Sequence, residues 1–590
     1  MAELFYSGPA ALTANQLFKC ELTIILEETI GPGGGICVAS RHVSDIGDAQ
    51  TSDPSRENYI EFKTDSAAAA LIFEPKPGDH PWNRGFTLYV SDGVLKPGEK
   101  IKIIFGGARG YRAQSFIEKQ SGFRLGVKTS AGSGWQVKPK KDSYFFEVTG
   151  AEAAKIRAYI KSDKTLCVKA EDIYGNISPV NITLDILLDD DLFIGIVKLN
   201  NGLAHIKPGF DVPDDGKRHT LTLTSADGRF FARTNPFGPQ LKPGMQVFFG
   251  DLHAQSGLCD GTNSPAYLYK YAKTAAGLDF AAVTSHDMEI NAGEWSEIKD
   301  ATREAYVPGE FVTLLGYEWS GLTEAGGDNN IYFAGGDGPL VSNCVYNSPW
   351  CNPETPPEQN NLSETIEKIK KIKKTAGGGD FIVIPHFGGR AANFDFYDGD
   401  LMPLLEIHST HKTYEDMWRE AVNRRLPFGL CGGRDDHRGA IGDTAVTARE
   451  RFFSSRCGLT GVYAEELTRE SIWDALKKRR VFVTNGNHML LFFGLNKDGE
   501  EYMMGDYISV KTGAPLAFKF KALCDGFFSS AEIYRDNERA RIYSEYHNQI
   551  YTYENTYEDT ARAGLAFYYV KIIQTDGGAA WSSPIFVEGV

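Results

Sequence analysis

Between Val247 and His437 one pattern repeats: a short apolar, strand-like run that ends in histidine, aspartate or glutamate. The runs are VFFGDLH to His253, DFAAVTSHD to His286 and Asp287, FVTLLGYE to Glu318, and FIVIPH to His386. PLLEIHSTH then passes through His408 and His411, and PFGLCGGRDDH runs through Asp435 to His437. Six of the twelve histidines fall in this third of the chain. In a β/α barrel the strand ends converge on one face, where active sites lie. Side chains scattered in sequence then meet in space, as a cluster of metal ligands requires.

The segments between these runs carry helix signals. Ser264 and Pro265 pair an oxygen-bearing N-cap with a proline at the first helical position. Leu268 and Tyr271 share a face, and Gly277 stops the helix. A second helix is predicted from Ser363, with Ile366, Ile369 and Ile372 about a turn apart and a solvated lysine face. A third follows Thr468 in LTRESIWDALKKRR and ends in cations that suit a helix C-terminus. Residues 1 to about 235 are different, with alternating or β-branched runs (CELTIILEE, FTLYVSDG, KIKIIFGG, VNITLDI) separated by turn clusters such as GPGGG and PKPGDHP. That texture predicts β-sandwich-like modules.

The expected architecture is a β-rich domain over 1–110, an immunoglobulin-like β-sandwich over 111–235, a distorted barrel over 245–488 and a C-terminal β domain over 489–590. The proline-rich segment 235–246 reads as the linker into the barrel. A chain of 590 residues exceeds what one core serves. The formal charge of −15 argues against nucleic acid or an anionic membrane as the main partner. No run of eighteen apolar residues predicts a membrane span, and the first residues lack a basic-then-apolar leader. A cytoplasmic protein acting on a small molecule is expected, with a homo-oligomer compatible. Nine scattered cysteines read as reduced thiols; Cys344 and Cys351 are the pair that could bridge.

Taken in order, GDLHAQSGLCDG, AVTSHD, GYEWSG, IPHFGG and GRDDHRG resemble the polymerase-and-histidinol-phosphatase (PHP) superfamily of metal-dependent hydrolases. GLTGVYAEELTRESIWDALKKRRVFVTNG is similar to its DUF3604 branch. The resemblance covers roughly residues 245–590 and implies a distorted seven-stranded β/α barrel holding two or three divalent ions. It assigns His253, Glu318 and Asp435 to a first ion. Glu318 then bridges to a second, held also by His386 and by His411 or His408, with His411 favoured. Asp260, His286 and His437 take the third. The resemblance also exposes a departure: where the family pattern has a second histidine after His253, this chain has Gln255, a harder and weaker ligand.

Neutral imidazole suits Zn²⁺, Fe²⁺ and Mn²⁺, carboxylates offset and bridge ions, and Mg²⁺ is compatible with the oxygen donors. Two ions about 3.5–4 Å apart clamp the attacking and leaving oxygens of a displacement and activate water near neutral pH. No Gly-x-Ser-x-Gly elbow, P-loop or Cys-x-x-Cys offers a competing mechanism. Asp287 and Glu406 read as residues that orient ligands. Arg390 and Arg434 either stabilise developing negative charge or form rim salt bridges. Trp295, Tyr317 and Trp319 either line a pocket or pack. His42, His80, His205, His219, His488 and His547 receive no role. The reading is a metal-dependent hydrolase using activated water, on a phosphoester by preference. The same centre acting on an amide, ester or glycosidic bond, or in an elimination, is the alternative, and a degenerate binding module is the remote one.

Overall fold

The computed structural model describes residues 2–207, 213, 215–343, 359–376, 379–443, 456–545 and 547–590. Cys344 and Cys351 lie outside them; the seven described cysteines are buried free thiols. The chain is mostly β, with forty strands against five α-helices among the described residues.

Eight strands carry the region of the histidine runs. β1 (Gln246–Asp251), β2 (Phe280–Val283) and β3 (Val312–Ser320) pair in parallel. β4 (Asp328–Phe333) returns antiparallel to β3, with Glu318 opposite Asn330, and β5 (Phe381–Pro385) is antiparallel to β4. β6 (Leu404–His408) and β7 (Gly429–Gly432) form a separate parallel pair. The turn leading into β6 is tied to β5 through Val383 N–H donating to Leu401 O. The pair is tied to β8 (Leu459–Ala464) through Thr460 Oγ1, which bonds both Gly432 N and Gly432 O. β8 pairs antiparallel with β1. Nearly every residue of these strands is buried, so they read as continuous apolar runs and not as alternating ones.

Three helices form where the sequence predicts them, and two more are found. α1 (Pro265–Thr274) starts on Ser264, whose side chain accepts from Tyr267 N–H at 3.3 Å; such a cap contributes about 1 kcal/mol. It buries Leu268, Tyr269, Tyr271 and Ala272, and Gly277 follows at φ +67°, a conformation L-residues avoid. α2 (Ala292–Ala305) opens with a reciprocal capping box between Asn291 and Glu294. α3 (Leu362–Ala376) and α5 (Arg469–Lys477), the latter capped by Thr468, occupy the two other predicted places. α4 (Glu415–Asn423) lies between β6 and β7.

Packing divides the chain differently from its sequence texture. One apolar cluster draws its residues from Ala2 to Val148 and the next from Ala153 to Phe237. The core therefore changes near residue 150 and not near 110, because the strands at Glu118–Gly122 and Tyr144–Thr149 complete the first unit. Nor does a gap follow residue 488: β9 (Val481–Thr484) pairs with both β8 and Ala579–Ser582, so one sheet runs on into the C-terminal β region. The proline-rich segment is packed as well as linking, since Asn235 bonds both backbone groups of Ile160.

Candidate metal centre

The strand ends deliver their side chains into one buried cluster. β1 leads to His253, β2 to His286, β3 carries Glu318, β5 leads to His386, β6 carries Glu406, and β7 leads to Asp435 and His437. Glu318 lies at the middle. Its Oε1 is 3.0 Å from His386 Nε2, and its Oε2 is 3.2 Å from His253 Nε2 and 3.4 Å from His286 Nδ1. Asp435 continues the chain of contacts, with Oδ1 3.3 Å from His253 Nε2 and Oδ2 2.9 Å from His411 Nε2. Three imidazoles then face Asp260 Oδ2: His437 Nε2 at 3.3 Å, His80 Nε2 at 3.5 Å and His286 Nε2 at 3.7 Å.

Further side chains aim these groups. Glu406 accepts from His253 Nδ1 at 3.1 and 3.2 Å, leaving Nε2 to face Glu318 and Asp435; a carboxylate behind a histidine fixes the tautomer in this way. Ser320 Oγ holds His286 Nδ1 at 2.9 Å, and the Asp435 carbonyl holds His437 Nδ1 at 2.9 Å. Asp435 takes φ +54°, and such strained backbone collects at functional sites.

Three donor sets have their ligand atoms within 4.8 Å of one another: His253, Glu318 and His386; Asp260, His286 and His437; and His80, Asp260 and Glu289. Five carboxylates (Asp260, Glu289, Glu318, Glu406, Asp435) are buried here. Among the described residues no lysine or arginine forms an ion pair with them; histidines are their partners. Among the described residues, Asp260 Oδ1, Asp435 Oδ1, Glu289 Oε2 and His386 Nδ1 are buried with no hydrogen-bond partner. Leaving such atoms unpaired is costly, and a divalent cation is what this donor set is suited to hold.

The electrostatics express the same excess of negative charge. Burial opposes ionisation of Asp260, Glu318 and Asp435, yet the neighbouring imidazoles hold all three below the usual carboxylate range. Burial likewise disfavours charged imidazole, but the carboxylates push His437 up to about 10 and His80 up to about 11, and raise His253 and His386. Protons and metal ions compete for these sites.

The remaining sequence-predicted residues fall as follows. Gln255 is at the cluster, but its amide nitrogen donates to Glu318 Oε2 while its oxygen accepts from the Cys259 thiol. His411 reaches the cluster through Asp435, whereas His408 is turned away, bonded to Thr413 Oγ1 and the Arg456 carbonyl. Asp287 spends its oxygens on the backbone amides of Ser320 and Asn343. Arg434 is buried against Asp436 and the Asp443 carbonyl, and Arg390 is paired at 2.7 Å with Asp328. Trp295, Tyr317 and Trp319 pack in an apolar cluster. Two residues of the donor sets, His80 and Glu289, had no ligand assignment from the sequence. Glu289, three residues after His286, was within reach of the motif; His80 had no such signal, lying in a loop of the N-terminal domain.

The family model "Protein of unknown function (DUF3604)" matches residues 261–401 and 409–517. An uncharacterized protein of Chlamydia pneumoniae is 23% identical over 558 residues, covering 84% of each chain. One from Chlamydia trachomatis serovar D is 23% identical over 615 residues, covering 92% of each. Among solved structures, a two-domain protein containing a predicted PHP-like metal-dependent phosphoesterase from Bacteroides vulgatus ATCC 8482 matches at 12% identity and a TM-score of 0.32. The match covers 58% of this chain and 96% of that one. Among the described residues no helix is long and apolar enough to cross a membrane.

Proposed function

We propose that this chain is a metal-dependent hydrolase that uses activated water, with a phosphoester of a small molecule as its preferred substrate. One observation carries the reading: imidazoles and carboxylates from six strands meet in a buried cluster that keeps donor atoms without protein partners. In this reading β1 to β8, one strand more than the seven expected, close as a distorted PHP-type barrel, the bond from β5 to the turn before β6 and that from β7 to β8 completing the ring. His253, Glu318 and His386 would hold one ion, and Asp260, His286 and His437 another, with Asp435 in contact with His253 and His437. Gln255, neutral and turned to donate to Glu318, adds no ligand charge and favours two ions over three. When bound, divalent ions supply Lewis acidity and an activated water nucleophile.

The chain's own residues do the rest. Glu406 and Ser320 aim His253 and His286. Burial of the carboxylates and of His253, His386 and His437 strengthens the charge interactions among them. His411, its side chain 24% exposed, sits at the edge of the cluster with Nε2 on Asp435, placed to pass a proton to a leaving group.

A second reading, the same centre acting on an amide, ester or glycosidic bond, is favoured by one observation. Arg434 and Arg390, which the sequence left open as anion-stabilising groups or rim salt bridges, are bonded to Asp436 and Asp328, whereas phosphate recognition draws on arginine forks. Metal analysis of purified protein, followed by turnover of aryl phosphate mono- and diesters before and after chelation, separates the readings. Stoichiometric metal with chelator-sensitive phosphoester turnover is expected. Stoichiometric metal without phosphoester turnover transfers the assignment to the second reading; metal-free, chelator-insensitive turnover defeats both.

A further inference from the structure

His80 belongs to the N-terminal β domain, some 170 residues from the nearest ligand run, yet its imidazole stands in the centre. Its Nε2 lies 3.1 Å from Glu289 Oε1 and 3.5 Å from Asp260 Oδ2. Glu289 is fully buried, and among the described residues neither its Oε2 nor Asp260 Oδ1 has a hydrogen-bond donor. Three imidazole nitrogens and a buried second carboxylate thus surround one Asp260 oxygen, a donor set richer than the strand ends alone provide.

The loop bearing His80 is built to hold it there. Trp82, 2% exposed, is covered by the guanidinium groups of Arg41 and Arg124 at 4.7 and 5.2 Å from its ring. His42 N–H donates to Pro81 O at 2.7 Å, and Trp82 N–H to Asp79 O at 2.8 Å. The same domain grips the loop that carries Asp260: Arg41 donates to the carbonyls of Cys259 and Gly257, each at 2.8 Å. Lys140 donates to Glu289 O at 3.0 Å and Glu294 Oε1 at 3.1 Å, which places the turn bearing Glu289. The Arg41 and Lys140 contacts join the N-terminal domain to the loops bearing Asp260 and Glu289, so docking the domain also brings His80 to the donor set.

We infer that His80 and Glu289 are ligands of the divalent ion at Asp260, so that the N-terminal β domain completes the metal centre. The inference rests on the divalent-cation reading above and adds an inter-domain ligand to it. The competing account is a docking salt bridge, in which His80 only pairs with the two carboxylates. Three full-length variants decide between them: His80→Ala, His80→Lys and the near-isosteric Glu289→Gln. Lysine preserves a cation for docking but removes the imidazole ligand. Each is loaded with Mn²⁺ or Co²⁺, and ions per chain, affinity by competition with a chelator and the Co²⁺ absorption spectrum are measured. The expected result is that all three lose one ion per chain, or bind it about 10- to 100-fold more weakly, with a changed Co²⁺ spectrum. Wild-type stoichiometry, affinity and spectrum in His80→Lys and Glu289→Gln overturn the inference and leave the docking account. A wild-type protein that binds no ion overturns the underlying reading instead, so the two failures are distinguishable.

Discussion

Glu406→Gln isolates the aiming of one ligand from ligation itself. Glu406 is buried and touches His253 Nδ1 with both oxygens, at 3.1 and 3.2 Å, while His253 Nε2 faces Glu318 and Asp435 at 3.2 and 3.3 Å. The carboxylate accepts only, so it forces the proton onto Nδ1 and keeps the Nε2 lone pair on the cluster. Glutamine preserves shape, but its amide can also donate, which admits the opposite tautomer, and it removes one of five buried carboxylates. Losing such a partner lowers metal affinity about 10- to 100-fold, or about 1.4–2.7 kcal/mol. Titration of metal-free protein with Zn²⁺ in a chelator buffer should show that loss at one site, with ions per chain unchanged. A dissociation constant within about twofold of wild type would refute the argument, since His253 would then either need no orientation or hold no ion.

Other perturbations probe the rest of the molecule. Lys169, buried between Glu171 at 2.8 Å and Asp443, with Tyr271 OH at 2.9 Å, ties the second β domain to the ligand-bearing region. Lys169→Met strips the buried Asp443 of its lysine, while Glu171 keeps Arg157 at 2.9 Å and Lys155 at 3.1 Å, and should cost about 3 kcal/mol in denaturant unfolding; a loss under about 1 kcal/mol would show the pair to be hydrated. His488 is buried against Tyr159 and Phe249, and burial pushes it down to about 3. Its folded value lies below the unfolded one near 6.5, so the stability it contributes is complete above pH 6.5 and drains away as pH falls towards 3. From pH 6.5 to 5 the loss is about 2 kcal/mol, and His488→Phe should not show it; parallel pH profiles for the two proteins would contradict the burial argument. Gly433→Ala would put a methyl group 2.5 Å from His253 Cβ and 2.9 Å from Glu406 Oε2, so metal affinity should fall while helix content by circular dichroism stays. Chelation should lower the melting temperature, and restoring free metal to about 100 times its dissociation constant should return about 2.7 kcal/mol; a melt indifferent to metal would count against the centre.

What the sequence determined by itself was local: the apolar runs, the caps at Ser264 and Thr468, the β texture of the first 235 residues, and the donor atoms at strand ends. Each follows from neighbours within a few residues, because a buried strand must end where its polar cargo begins and a helix must satisfy its first amides. Pairings across long separations were decided only in three dimensions. His408 and His411 lie three residues apart and carry the same chemistry, yet only His411 meets Asp435, because the Arg456 carbonyl and Thr413 claim the other ring. Arg390 and Arg434 could not show beforehand that Asp328 and Asp436 would occupy them. His80 had no periodicity to betray it, since its place is set by the packing of Trp82 under Arg41 and Arg124 and by the loop that Arg41 grips. Periodicity reports which side of an element is buried; which distant side chain completes a charged cluster depends on how whole domains dock.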